Sequence, residues 1–136
     1  MTSRKPRVGL LVCLLTLISC AAGPRLVQAS LAGATIAINF ENTEIRSTSA
    51  TTLAIVTRTV SPKQSYIECY FQTTGGQIGL RITSDDQRRV EAFFQQIATA
   101  AAGNASFQIT AYAKSKYQPN GYEANLENDL VYLILH

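Results

Sequence analysis

Tyrosine and lysine side chains carry the most suggestive chemistry in this sequence. Tyr66 and Tyr70 lie on the polar side of one segment that alternates between polar and apolar residues, and a second such segment carries Tyr112, Lys114 and Lys116. An exposed tyrosine beside a lysine can stack on a sugar, a peptide or a base. Ordinary cross-strand pairs on a solvated sheet face would produce the same pattern. We take these five residues as candidate ligand-binding residues, with cross-strand pairing as the alternative.

Residues for catalysis and metal binding are scarce. His136 is the single histidine of the chain and its last residue. A chain terminus is usually frayed, so this imidazole is a poor general base and a poor metal ligand. The sequence also lacks the glycine-rich patterns that bind phosphates. We therefore predict a protein that is not an enzyme and that holds no metal and no cofactor, with a small enzyme as the least favoured alternative.

The net positive charge of the chain comes from its first residues. The sequence has 12 Lys+Arg and 9 Asp+Glu, and three of the positive residues are Arg4, Lys5 and Arg7. Subtracting these and Arg25 from 12 leaves 8 basic residues at 30–136 against 9 acidic ones, a net charge of −1. A protein that binds the phosphate backbone of a nucleic acid needs an excess of Lys and Arg. We therefore expect no nucleic-acid partner.

Residues 1–29 are typical of an export signal. A basic segment at 1–7 precedes an apolar run at 8–22, and Gly23 and Pro24 then interrupt any helix. The apolar run is short for a transmembrane helix, which needs about 20 residues. We therefore predict a signal that directs the chain out of the cytoplasm.

Two processing sites compete within this signal, and an uncleaved anchor is a third alternative. The segment 27–29, Val-Gln-Ala, has the small residues after which a signal peptidase would cut, before Ser30. The segment 17–20, Leu-Ile-Ser-Cys, resembles the lipobox of bacterial lipoproteins, in which the cysteine receives a diacylglycerol and becomes the first residue. Cys20 is therefore a candidate lipidation site, followed by a flexible tether at 21–33.

Beyond the signal, residues 30–33 are expected to form a linker and residues 34–136 a single β-rich domain. Segments in which apolar and polar residues alternate predict its strands. In one of them Cys69 lies between Ile67 and Phe71 on the apolar side, which predicts a buried, unreactive thiol. Either cut leaves this cysteine as the one free thiol, so no intrachain disulfide is expected. The predicted strands are 34–40, 51–60, 66–73, 78–83, 106–117 and 122–126, and the apolar run at 130–135 predicts either a strand buried on both faces or an apolar C-terminal edge.

After the fourth strand, the apolar residues recur at the spacing of a helix. This stripe predicts an amphipathic helix at about 85–102. Ser84 and Gln87 form a capping-box pattern at its start, and Gly103 is typical of a helix end. The side chains expected to anchor this helix to a sheet are Phe93, Phe94 and Ile97.

The order of these elements indicates an α+β fold that is mostly antiparallel β. A strand meander, one amphipathic helix and a C-terminal hairpin would form a sheet of about five or six strands, or a small barrel. Over residues 34–135 this order resembles that of the OB-fold, in which a helix between the third and fourth strands plugs one end of the barrel. The resemblance implies a module that binds oligonucleotides or oligosaccharides.

Together these features predict an exported protein of the cell envelope. We expect a small lipoprotein, anchored to a membrane through Cys20, that binds or scaffolds another envelope component without catalysis. Its partner would be a protein or a small ligand of the envelope. The alternative is a soluble periplasmic or secreted OB-like module that binds a sugar or a peptide.

Overall fold

A computed structural model describes residues 25–40, 43–61, 64–103, 106–117 and 121–136, without the side chains of 43–46 and 60. Most of the expected export signal, including Cys20, therefore lies outside the described residues. The described part of the chain contains no helix that is long and apolar enough to cross a membrane.

Eight strands and one helix make up the described residues, and every strand belongs to one sheet. In chain order the elements are β1 (Leu26–Phe40), β2 (Thr43–Ser61), β3 (Gln64–Thr73), β4 (Gly76–Ser84), α1 (Gln87–Ala102), β5 (Phe107–Ala113), β6 (Ser115–Tyr117), β7 (Gly121–Asn125) and β8 (Val131–Leu135). Across the sheet the order is β6-β7-β4-β3-β2-β1-β5-β8. The sheet curls into a half-barrel, which confirms a mostly β, barrel-like α+β fold with one helix. The prediction of five or six strands is wrong, since the described residues form eight.

The strands after the helix form the expected C-terminal hairpin only in part, because β6 pairs antiparallel with β7 but β5 and β8 lie at the other edge of the sheet. β1 to β4 pair antiparallel in chain order, as the meander predicts. β5 then pairs parallel with β1, and β7 pairs parallel with β4, so the sheet is mixed. The strand expected at 106–117 divides at Lys114 into β5 and β6. The physical reason is that β1 and β4 are the two open edges of the meander, and the later strands extend both of them.

The expected linker at 30–33 is part of a strand, because β1 begins at Leu26. β1 pairs with β2 on both sides of this segment, with a shift of register after Ser30 that marks a bulge. Small residues fit this bulge because Ser106 lies close to it. A Cβ atom added to Gly33 would lie 3.1 Å from Oγ of Ser106, whose hydroxyl donates a 3.1 Å hydrogen bond to O of Gly33.

Alternation along the strands gives the sheet an inner face and an outer face. The inner face carries the buried apolar side chains, and α1 packs on it across β1, β2, β3, β4 and β8. On the helix, Phe94 and Ile97 are buried in this core and Phe93 is partly buried against it. The largest inner-face side chains that are fully buried are Phe71, Phe107, Ile36, Ile38, Ile55, Ile67, Leu80, Ile82 and Ile109.

The helix starts two residues later than the capping box predicts. The carboxylate of Asp86 accepts a 2.9 Å hydrogen bond from N of Arg88 and caps the helix. Ser84 is not the cap, because its hydroxyl donates to the carboxylate of Glu127 and accepts from N of Asp86 at 3.0 Å. Gly103 ends the helix as predicted, since its N donates to carbonyl oxygens of the last turn.

Candidate functional site on the outer sheet face

Glu68 lies at the centre of a polar cluster on the outer face of β3. The inner-face residues of this strand are buried, so the alternate residues Tyr66, Glu68 and Tyr70 lie on the outer face. A turn at 74–75 joins β3 to β4 and sets the register of the two strands. That register places Glu68 directly opposite Arg81.

Both oxygens of the Glu68 carboxylate are paired with arginine. Its Oε2 accepts a 3.0 Å bond from Nη2 of Arg81, and its Oε1 accepts a 3.4 Å bond from Nε of Arg58 on β2. The Glu68 residue is only 6% exposed. A carboxylate this buried is stable only when such partners compensate its lost hydration. These two ion pairs connect β3 to β2 on one side and to β4 on the other.

The Arg81 guanidinium is sandwiched between two tyrosine rings. Its Cζ lies 4.5 Å from the ring centroid of Tyr66 and 4.1 Å from that of Tyr117 on β6. Cation–π attraction of this kind strengthens when the cation is partly removed from water. Gly79 makes the room, since a Cβ atom there would lie 3.2 Å from Oη of Tyr117. We call Arg58, Tyr66, Glu68, Arg81 and Tyr117 the arginine–tyrosine cluster.

Two phenols at this cluster, those of Tyr70 and Tyr117, have raised pKa values. Burial, followed by the negative charge of Glu68 and a hydrogen bond to it, raises the pKa of Tyr70. Burial also raises the pKa of Tyr117, with a further contribution from the neighbouring Tyr70 and Glu68. Both hydroxyls are therefore neutral groups that can donate or accept hydrogen bonds.

A shallow groove of about 470 Å³ lies beside the cluster on the outer face. Bulges flank it, because the register shifts after Ser30 in β1 and between Ala50 and Thr52 in β2. Bulges bend a sheet and re-aim its side chains, and they often occur next to functional sites. We call this the outer groove, and its lining is uncharged: Gln28, Ala29, Ser30, Thr52, Leu53, Ala54, Tyr70, Gln72 and Gln77.

The lining of the outer groove offers neutral hydrogen-bonding groups and one aromatic ring. Its glutamine amides both donate and accept, and its Ser and Thr hydroxyls do the same. Tyr70 adds an aromatic face at one side of the groove. No charged residue lines it, so the groups that it would offer to a bound molecule are neutral.

The five candidate binding residues do not form one surface. Tyr66 and Tyr70 lie together on the outer face of β3. Tyr112 lies on the outer face of β5, with β1 and β2 between it and β3. Lys114 is exposed between β5 and β6, and the ammonium of Lys116 instead lies over the inner-face rings of Phe40 and Tyr122, at 5.6 and 5.9 Å. The break at Lys114 separates the three residues because the alternation expected at 106–117 stops there.

Sequence reasoning missed most of the cluster and the groove. Glu68 lies between Tyr66 and Tyr70 in the same alternation, and Arg81 occupies the polar side of the next strand. The two-residue turn at 74–75 could have paired them, since turn length fixes hairpin register. Tyr117 gave no such signal, because its contact with Arg81 depends on the parallel pairing of β7 with β4.

Cys69 is fully buried on the inner face of β3, and burial, with the nearby charge of Glu68, raises the pKa of its thiol to about 12. The prediction of a buried thiol is confirmed. Within the described ranges no group of three or more His, Cys, Asp or Glu residues is arranged to hold a metal ion.

Comparisons with family models, with curated proteins and with solved structures gave no match to this chain.

Proposed function

We propose that this chain is an exported, lipid-anchored protein of the cell envelope that binds another envelope component without catalysing a reaction. The observation that carries the proposal is the position of the segment 25–29, which is integral to the folded sheet although it belongs to the expected signal. Cleavage before Ser30 would remove this segment, whereas cleavage before Cys20 would keep it.

Arg25 makes contacts with both the sheet and the helix. Its N donates a 2.9 Å hydrogen bond to Oγ1 of Thr57, and its O accepts a 3.0 Å bond from N of Thr57. Its guanidinium binds the carboxylate of Glu91 on α1 and lies 4.6 Å from the ring centroid of Phe94. Cleavage after Ala29 would break all of these contacts.

Residues 26–29 pair with residues 53–56 of β2. Leu26 lies opposite Val56, and the pairing continues without a shift to Ala29 opposite Leu53. Val27 and Ala29 pack against the core from the inner face. A chain that began at Ser30 would leave this part of β2 paired with β3 alone and would expose the core beside it. Of the two processing sites, this favours the one before Cys20.

Processing before Cys20 brings the domain close to the membrane. Only residues 21–24 would separate the lipidated cysteine from Arg25, in place of the tether expected at 21–33. Even fully extended, this connection spans at most about 18 Å. Acyl chains anchor by roughly 0.8 kcal/mol per buried methylene, so several chains on Cys20 would hold the domain permanently. Its partners are then components at or near the membrane surface.

The outer face is the surface that we assign to binding. The arginine–tyrosine cluster stiffens β2, β3 and β4 beneath it, and the outer groove offers uncharged donors and acceptors. A rigid, polar groove suits a neutral polar ligand or a peptide segment. The residues that we expect to make contact are Gln28, Tyr70, Gln72 and Gln77.

Lipidation can be tested with a pair of cysteine variants in the full chain. Wild type, Cys20→Ser and Cys13→Ser are expressed in bacteria with a labelled fatty acid, and the cells are fractionated. Cys13→Ser is the matched control, because Cys13 lies in the same apolar run. We expect wild type and Cys13→Ser to carry the label and stay with the membrane, and Cys20→Ser to lose the label. Equal labelling of all three proteins, or of none, would overturn the proposal.

The outer groove also favours a second candidate function, a soluble periplasmic or secreted module that binds a sugar or a peptide. Cleavage after Ala29 would remove Gln28 and Ala29 from the groove lining. In this candidate function the other lining residues must therefore bind the ligand on their own. Binding to neutral oligosaccharides and peptides can be compared for Tyr70→Ala and Tyr112→Ala. Loss of binding in Tyr70→Ala but not in Tyr112→Ala would assign binding to the groove. Equal affinity of the two variants would exclude the groove as the binding site.

A further inference from the structure

Exposed large hydrophobic side chains are concentrated at one edge of the sheet. β8 is the outermost strand there, and Tyr132, Ile134 and Leu135 in this strand are all exposed, Leu135 by 62%. Leu130, just before the strand, is 58% exposed, and Tyr112 is exposed on the neighbouring β5. An apolar strip along a sheet edge is typical of an interaction site.

Among the described residues no strand pairs with the outer edge of β8, so its backbone groups there lack ladder partners. N of His136 donates to O of Ser106 at 2.9 Å, and N of Tyr112 donates to O of Leu130 at 2.8 Å. Hydrogen-bonded pairs alternate along an antiparallel ladder, so the even-numbered residues at 130–136 are the ones that bond to β5. The residues whose N–H and C=O groups point away from β5 are therefore Val131, Leu133 and Leu135.

The two edges of the sheet differ in how they are protected. Proteins usually guard an exposed edge with short strands, lysines or prolines, because an open edge pairs with other chains. The opposite edge, β6, has only three residues, Ser115–Tyr117, and includes Lys116. β8 has five residues, Val-Tyr-Leu-Ile-Leu, with no charge and no proline. The unguarded edge is thus the one that also exposes apolar side chains.

We propose that β8 pairs antiparallel with β8 of a second copy of this chain, around a two-fold axis at Leu133. In this register Val131 of one copy lies opposite Leu135 of the other, and Tyr132 lies opposite Ile134. Val131, Leu133 and Leu135 then each exchange both backbone hydrogen bonds with the partner strand. The two half-barrels become one continuous sheet.

A second copy is the occupant that the chemistry of this edge favours. Uncharged apolar residues lie opposite uncharged apolar residues at each position, so the strand is complementary to itself and no charge is buried unpaired. Cross-strand contact of Tyr132 with Ile134 covers both on the outer face. Two-fold pairing of identical surfaces is the commonest symmetry of soluble oligomers. The inference is independent of lipidation and of ligand binding in the outer groove.

Cysteine cross-linking in the full chain tests both the contact and its register. Leu133 would lie opposite its own copy with Cα atoms about 5.5 Å apart, which a disulfide can bridge. Val131 would lie four residues out of register with its own copy, about 14 Å away along the strand. Both side chains are half-buried on the same face, so Val131→Cys is a matched control. We expect Leu133→Cys to run at twice the monomer mass on a non-reducing gel and Val131→Cys to run as a monomer.

A charge placed on the edge provides the second readout. Ile134→Lys adds a lysine on the exposed outer face without touching the core, as natural edges do. Light scattering of the full chain in mild detergent should give a dimer for wild type and a monomer for Ile134→Lys, with unchanged circular dichroism. A monomeric wild type, a dimeric Ile134→Lys, or a cross-link of Leu133→Cys only to another protein would overturn the proposal.

Discussion

Removal of the Glu68 carboxylate probes the most buried charge on the outer face. Glu68→Ala takes away the acceptor of both Arg58 and Arg81. The Arg58 side chain is 47% exposed and its bond is 3.4 Å long, so water replaces the carboxylate at little cost. The Arg81 side chain is only 23% exposed, and its Nε has no partner among the described residues. The loss at Arg81 therefore dominates.

The size of the effect follows from these two exposures. An exposed ion pair contributes about 0–1 kcal/mol, which bounds the Arg58 interaction. A hydrogen bond to a charged group contributes about 1.5–3 kcal/mol, and breaking a fully buried pair costs about 3–5 kcal/mol. Since Arg81 retains some contact with water, we expect Glu68→Ala to lower the free energy of unfolding by about 2–3 kcal/mol. Arg58→Ala should lower it by less than about 1 kcal/mol.

Urea unfolding followed by far-ultraviolet circular dichroism measures this difference. Wild type, Glu68→Ala, Arg58→Ala and the double variant are compared at one protein concentration, because self-association would shift the midpoint. The double variant should be little worse than Glu68→Ala, since Arg58 has lost its acceptor in both. Equal losses for Glu68→Ala and Arg58→Ala would refute the central position that we give to Glu68 and Arg81.

Three further predictions concern the core. Phe94→Ala should lower the free energy of unfolding by about 3–5 kcal/mol, because Phe94 is only 3% exposed beneath α1. Phe93→Ala should lower it by less. A loss under about 1 kcal/mol for Phe94→Ala would contradict this packing. Cys69 should resist alkylation at pH 8 in the folded protein and react in urea, since burial raises its pKa from 9.0 to about 12 and the thiolate is the nucleophile. The unfolded chain loses the thiol proton near pH 9, whereas the folded protein loses it only near pH 12. The stabilisation by the protonated thiol is therefore complete below pH 9, and the free energy of unfolding should fall as the pH rises from 9 to 12.

Local patterns predicted the local structure well. The helical stripe located α1, because Phe94 and Ile97 recur at a period that only a helix places on one face. Alternation placed Tyr66 and Tyr70 on the face opposite Cys69, because successive strand residues point to opposite sides. Neither inference needs knowledge of distant contacts.

Non-local pairing accounts for the errors. Small residues at 30–33 read as a linker, but a bulge packed against Ser106 accommodates them within β1. Both edges of the meander were open to the strands after α1, and no residue pattern shows which edge a strand will join. Tyr117 therefore reaches Arg81 only through β7, and Tyr112 is carried to the far side of the sheet with β5.

The mass of the mature N-terminal peptide is the most direct test of anchoring at Cys20. The protein is isolated from the membrane fraction of cells that express the full chain, and its first peptide is identified by mass spectrometry. We expect the mature chain to begin at Cys20 with a bound diacylglycerol and to retain the segment 25–29 that pairs with β2. A mature chain that begins at Ser30, without lipid, would contradict both the anchor and the assignment of this segment to the folded domain.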